Sequence, residues 1–423
     1  MMKSEIKLPQ EWPGIHYIGE EEISAVTNVL KNQSPFRFYG PKPTFEARKF
    51  EEEFARFIGV KYCLSVSNGT TALQVALSAL EVGPGDEVII PGYFWVSTAG
   101  AVVRLGAIPV LADVDDSISM DPADLEKKIS SRTKAVIVVH MGGVIGQIDK
   151  IMEICRAKKI PVLEDCAQAA GTSQFGSMAG SFGDMSIFSF QINKNMTCGE
   201  GGAVLTNDTS LYERSFGIHD TGYIKDEHGS FVLDRPELQL WGIGCRISDL
   251  AAAMARVQLQ KLPTIVQRMR EFKHELVAII SEYDGIRPVT VADPSGESGG
   301  FLKMMFKDRE TSWKFKKKLL ENGIHVADKG FYPIHMEEWG LHIYYNLPSL
   351  VHKRPSMGSR SVWELTENSF ARDYTYEKGT LPQLDALIEK TVLFCVASNL
   401  KDGHKSVIRQ AFIKSCDQLL GKK

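Results

Sequence analysis

Between about residue 60 and residue 206 the chain alternates short, continuously apolar, β-rich runs with segments of helical periodicity, and no other feature restricts its fold as much. The runs are YCLSV, EVIIP, IPVLADV, KAVIVVH, PVLED, MSIFSF and GAVLT, seven strand candidates in all. Helix-like stretches such as TTALQVALSAL (70–80) and IDKIMEICRAKK (148–159) lie between most of them. Strands that are apolar on both faces and joined by helical crossovers belong in a mostly parallel sheet with helices on either side. The expected fold is therefore α/β, built on a mostly parallel seven-stranded sheet flanked by helices.

The 423 residues are enough for one large core and a second, smaller one. From Ile247 the stretch ISDLAAAMARVQLQKL is apolar around most of a helical circumference and reads as a buried helix, with Pro263 as a kink or boundary. The expected division is a large α/β domain over 1–263 and a smaller α+β domain over 264–423. Within the second, FLKMMF reads as a strand, VIRQAFIKSCDQLL as an amphipathic helix and DPSGESGG (293–300) as a loop.

The formal net charge is -3, and basic and acidic residues are interleaved, which argues against nucleic acid or an anionic membrane as a partner. Seven scattered cysteines without C-x-x-C spacing form neither a disulfide framework nor a zinc knuckle, which fits a reducing cytoplasm. The segment MMKSEIKLPQEWPG lacks an apolar signal core, and no stretch approaches the ~18 apolar residues of a membrane helix. Small-molecule chemistry is the expectation.

Four stretches carry that chemistry. SFQINKNMTCGEGG (189–202) places Lys194 between an apolar run and a glycine-rich turn. SVSNGTTAL (65–73) follows a strand and opens a helix, so free N–H groups at Gly69, Thr70 and Thr71 could cradle a phosphate; an ordinary Ser/Asn cap would read the same way. PVLEDCAQ (161–168) puts Asp165 at the carboxyl end of a strand, where open α/β sheets place ligand-contacting groups. In PGYFWVSTAG (91–100) a strand ends in three aromatics, one of which could stack on a flat cofactor. Lysine, phosphate cup, strand-end carboxylate and stacking aromatic together describe a site for pyridoxal 5'-phosphate (PLP): the amine forms a Schiff base with the aldehyde, and the carboxylate keeps the ring nitrogen protonated.

In these motifs the chain resembles the DegT/DnrJ/EryC1/StrS aminotransferases, sugar-modifying PLP enzymes of fold type I. The most specific piece is SFxxxKxxTxGEGG, matched by Ser189, Phe190, Lys194, Thr197, Gly199, Glu200, Gly201 and Gly202. The resemblance implies that Lys194 is the Schiff-base lysine, that Asp165 pairs with the pyridine nitrogen, and that Gln168 lies beside the ring hydroxyl. It further implies that Gly69, Thr70 and Ser189 hold the phosphate and that Trp95 stacks on the ring. Where relatives carry G-x-N-x-R, with an asparagine reaching the neighbouring subunit's cofactor phosphate, this chain has GIGCR: Gly244 replaces the asparagine, and Arg246 matches the arginine. A homodimer is expected on the same ground.

The family implies an amino donor, glutamate or glutamine, and as acceptor a keto or aldehydo sugar or a cyclitol ketone. SPFRFYGPKP (34–43) resembles the entrance loop of cyclitol aminotransferases, whereas DPSGESGGF and LHIYYNL resemble enzymes that aminate an octulosonate sugar. Selectivity is expected from the loops at 34–43 and 331–350. For an acid sugar, Lys329, His335 and His342 are candidates to meet the carboxylate. His219 is a candidate substrate contact, His140 reads as structural, and neither has metal-ligand company, so no metal site is expected. A sugar 3-dehydratase would carry histidine in place of Lys194, and a non-catalytic regulator would be expected to lose Lys194 or Asp165.

Overall fold

The structure, a computed structural model, describes residues 7–226, 229–325, 332–356 and 358–423. Seven strands form the central sheet: β1 (Tyr62–Val66), β2 (Glu87–Pro91), β3 (Ile108–Ala112), β4 (Thr133–Val139), β5 (Val162–Asp165), β6 (Met185–Ser189) and β7 (Gly202–Thr206). Their order is β1-β7-β6-β5-β4-β2-β3. All neighbours are parallel except at β7, which runs antiparallel to both β1 and β6. Each of the seven apolar runs in the sequence is one of these strands. β2, β5, β6 and β7 are buried along their whole length, as strands covered on both faces must be.

The helix Glu46–Ile58 shows how a cover is made. Phe50, Phe54 and Ile58 recur at four-residue spacing, are buried, and put the two rings edge-on against Phe190. Asp249 caps this helix from a distance, its carboxylate accepting from the N–H groups of Glu46 and Ala47, both at 3.0 Å.

Asp249 also begins the helix Asp249–Ser281, whose 33 residues continue through Pro263. The expected 263/264 domain junction therefore falls inside an unbroken helix. Pro263 lies on the exposed side of that helix. Beyond this helix a second, antiparallel sheet has the order β8 (Ile286–Pro288), β9 (Phe301–Phe306), β11 (Thr391–Cys395) and β10 (Ile334–His335). The helices Arg309–Glu321 and Asp402–Leu419 pack on each other, and the latter also packs on the long helix. Among the described residues, no helix is long and apolar enough to cross a membrane, and all seven cysteines are buried free thiols.

Candidate active site

The β6–β7 connection holds its lysine on a loop closed at the base. Phe190 N–H donates to Gly201 O (2.8 Å) and Cys198 N–H to Phe190 O (3.1 Å). Thr197 ties the inside of the loop, its Oγ1 donating to Phe190 O and accepting from Gly199 N–H, both at 3.0 Å. Asn195 donates to Ala170 O (2.8 Å), and the carbonyl of Lys194 accepts from Gly14 N–H (3.0 Å), so two distant segments fix the backbone around the lysine. The side chain borders a cavity of about 810 Å³. Burial lowers the Lys194 amine to about 8, against the opposing pull of Asp165 and Glu200, so the free nucleophile forms at near-neutral pH.

At one end of the cavity the helix Gly69–Ala79 begins. Asn68 caps it, Oδ1 accepting from Thr71 N–H (2.9 Å) and the carbonyl from Ala72 N–H (3.0 Å). The N–H groups of Gly69 and Thr70, both on the cavity wall, have no intrahelical acceptor and suit an anion. Close approach explains the glycines. A Cβ on Gly69 would lie 2.8 Å from Ser189 Cβ, and one on Gly202 would lie 2.6 Å from the Asn68 carbonyl. The strand ends and the helix start thus close into a cup, with Ser189 beside it and the Thr70 hydroxyl 2.9 Å from that of Ser97.

Asp165 ends β5 with only 4% of its surface exposed. Its Oδ2 accepts from the Thr98 hydroxyl (2.9 Å) and its Oδ1 from Ala167 N–H (3.1 Å). Burial still pushes the carboxyl above its usual range, despite these bonds and the Lys194 charge, so a cation placed against it would be stabilised. Gln168 is oriented by its acceptor: Oε1 takes Gly142 N–H at 3.0 Å, leaving the amide NH₂ as the donor for the cavity it lines. Trp95, 42% exposed, forms an aromatic wall. An anion cup, an amine, a side-chain donor, a flat ring and a buried carboxylate seeking a cation fit PLP, whose phosphate, aldehyde, ring hydroxyl, ring face and ring nitrogen they match in turn.

The structure brings Gly69, Thr70, Trp95, Asp165, Gln168, Ser189 and Lys194 onto one cavity, along with His140 and His342. It does not bring His219 there. That residue ends the helix Thr209–His219 and turns inward, Nδ1 against Phe216 O and its ring edge-on to Phe216. Burial and the cations of Arg37, Arg246 and Lys225 hold its pKa well below the ordinary histidine range. The expected substrate contact at His219 is therefore not made within this chain's cavity. The 34–43 segment does not border that cavity either: Arg37 is buried in a bidentate pair with Glu51 (2.8 and 3.0 Å) and donates to Ser65 O. His335 bonds Ser312 (2.8 Å) and stacks on Trp313, away from the cavity. Lys329 lies outside the described residues. Gly244 has φ +65°, and a Cβ there would meet nothing, while Arg246 pairs with Asp220.

Sequence reasoning missed Thr98, which holds Asp165, although it stands three residues after Trp95 in a stretch already singled out. It also missed Glu11, Trp12 and Pro13, which join Phe301 and Trp339 on the cavity wall; their approach depends on tertiary folding. One group of metal-ligand type occurs among the described residues, buried His140, Glu164 and Cys166. The Glu164 oxygens accept from the N–H groups of Gly180, Phe182 and Gly183 (2.7–2.8 Å) and contact His140 Nε2 at 2.9 Å, which gives this carboxylate a structural use.

A sequence model of the DegT/DnrJ/EryC1/StrS aminotransferase family matches residues 16–349. Among curated relatives, an L-glutamine:2-deoxy-scyllo-inosose aminotransferase of Micromonospora echinospora is 37% identical over 268 residues, 62% of this chain and 63% of that protein. A GDP-perosamine synthase of Escherichia coli O157:H7 is 38% identical over 225 residues, 53% of this chain and 60% of the relative. Among solved structures, 3-amino-5-hydroxybenzoic acid synthase superposes with a TM-score of 0.77 at 25% identity, covering 98% of this chain and 100% of that one.

Proposed function

Because the chain belongs to the DegT/DnrJ/EryC1/StrS aminotransferase family and is a PLP-dependent aminotransferase, we propose that it moves an amino group from glutamate or glutamine to the carbonyl of a sugar in amino-sugar biosynthesis. The observation that carries this reading is the composition of the cavity. Besides the residues suited to the cofactor, its lining includes Trp12, Trp339 and His342 and the amides of Gln191 and Asn193. Aromatic faces and amides suit a compact ring with many hydroxyls. A cyclitol ketone is the second reading, favoured by the inosose aminotransferase relative.

When bound, PLP supplies an electron sink for the substrate carbon. The protein's own groups do the rest: Asp165 holds a proton on the ring nitrogen, Gln168 donates beside the ring, and Lys194 moves a proton at the substrate carbon. Glutamate or glutamine should convert the bound cofactor to its pyridoxamine form, and a polyhydroxylated carbonyl compound should restore it. A spectrophotometric screen of that form against keto sugars, aldehydo sugars, inososes and simple keto acids checks this. Fast reoxidation by simple aliphatic keto acids, with none by any sugar or cyclitol, would overturn the substrate class and leave the aminotransferase.

The same proposal includes a homodimer. Phe231, Leu233, Trp241 (95% exposed) and Ile243 present apolar side chains to solvent along one segment, with Tyr39 exposed on the neighbouring loop. Single exposed apolar residues are ordinary, but a run of this kind suits a second copy of the chain. Light scattering should give a dimer mass that Trp241→Glu lowers; a fully active monomer at assay concentration counts against it.

A further inference from the structure

The turn at 339–342 is pinned to the strand-end segment that carries Trp95. Phe94 N–H donates to His342 O (3.0 Å), and Tyr344 N–H donates to Gly92 O (3.1 Å). His342 sits between two tryptophans, its ring centroid 4.8 Å from that of Trp95 and 4.4 Å from that of Trp339, nearly parallel to the latter at 18°. Its Nδ1 lies 2.9 Å from Trp339 O. A carbonyl oxygen only accepts, so Nδ1 carries the proton and Nε2 is a bare acceptor. Turning the ring over would set a carbon against Trp339 O and lose that bond. Among the described residues Nε2 has no hydrogen-bond partner, and the ring lines the cavity.

We propose that His342 is a specificity-determining residue that accepts a hydrogen bond, through Nε2, from a hydroxyl of the carbonyl substrate. This rests on the reading that the substrate is polyhydroxylated, and it gives His342 a role different from the carboxylate partner expected from sequence. A bare imidazole nitrogen presents a lone pair, which attracts O–H and repels a carboxylate. The neutral state has a physical cause: burial, together with the nearby Lys194 charge, lowers the His342 pKa to about 4 in spite of the bond to Trp339 O.

The test compares reoxidation of the pyridoxamine form by scyllo-inosose and by 2-oxoglutarate in wild type, His342→Phe and His342→Asn. Phenylalanine keeps a ring between the tryptophans and removes the acceptor; asparagine keeps an acceptor oxygen. We expect His342→Phe to lower kcat/KM for scyllo-inosose by about 10- to 100-fold, mostly through KM, with 2-oxoglutarate changed by less than about 3-fold and partial recovery in His342→Asn. Equal losses toward both carbonyls, or none, overturn the proposal. Nitrogen-15 NMR of histidine-labelled holoenzyme reads directly the tautomer on which the acceptor role depends, whichever carbonyl the enzyme prefers. Protonated Nδ1 and bare Nε2 between pH 6 and 8 are expected, and an imidazolium at pH 7 overturns the assignment. A wild-type enzyme that takes no polyol carbonyl while showing the expected tautomer faults the substrate reading; a wild-type enzyme that takes scyllo-inosose while His342→Phe does so equally well faults His342.

Discussion

Lys194→Ala should reduce turnover by several orders of magnitude while the protein folds and still binds PLP noncovalently. The loop around Lys194 is tied by Thr197, Asn195 and backbone bonds, none of which uses the lysine side chain. Losing the amine therefore removes chemistry and leaves the scaffold. Removal of one member of a tightly coupled catalytic set costs about as much as removing the whole set. Borohydride reduction of the wild-type holoenzyme, followed by peptide mass spectrometry, should place the pyridoxyl group on Lys194; a label on another lysine would show the assignment to be wrong. The pH dependence has a definite sign. Burial depresses the amine to about 8, and only the unprotonated amine attacks an aldehyde. Capture of PLP by the apoprotein should therefore rise with pH and level off just above 8, well below the range of an ordinary lysine.

Asp165→Asn should fold and bind cofactor, yet lose half-transamination with glutamate by about 10³-fold, the scale expected when a buried electrostatic partner is removed. An amide of the same shape can still meet Thr98 and Ala167, so the strand end is preserved. What disappears is the negative charge that favours a proton on the ring nitrogen. Single-turnover measurement with glutamate, alongside circular dichroism and cofactor content, separates lost chemistry from lost fold. Near-normal turnover in this variant would remove Asp165 from the site.

Local sequence disclosed the sheet and named most of the candidate cofactor residues that meet on one cavity, because each part depends on few residues. A strand buried on both faces has to be apolar throughout, and a lysine between MSIFSF and TCGEGG has few structural reasons to be there. Pro263 was misleading as a signal of a boundary: proline costs a helix one bond and some strain, and a helix packed along 33 residues continues through it, with the ring on the exposed side. His219 misled for another reason: its place after the cofactor strands is correct, but which way a side chain turns at the end of a helix is set by its neighbours, here Phe216. The approach of Glu11–Pro13 to the cavity lay beyond local reading, because nothing in that segment points to Trp339–His342, which lies in a loop the sequence did mark for selectivity.

The position of β11 bears on the order in which the protein can mature. β11 is an inner strand of the second sheet, and β10, which leads into the 339–342 turn, pairs with β11 alone. Cys395, at the end of β11, itself borders the cavity. A chain still on the ribosome and extended only to residue 390 already contains Lys194, Asp165 and the phosphate cup. It lacks the strand that joins β10 to β9, and of the ties on the turn after β10 it keeps those from Gly92 and Phe94. The aldehyde of PLP would then meet a less enclosed half-site, open to water and to cellular amines, so lasting capture of the cofactor should follow the pairing of β11 in the second sheet.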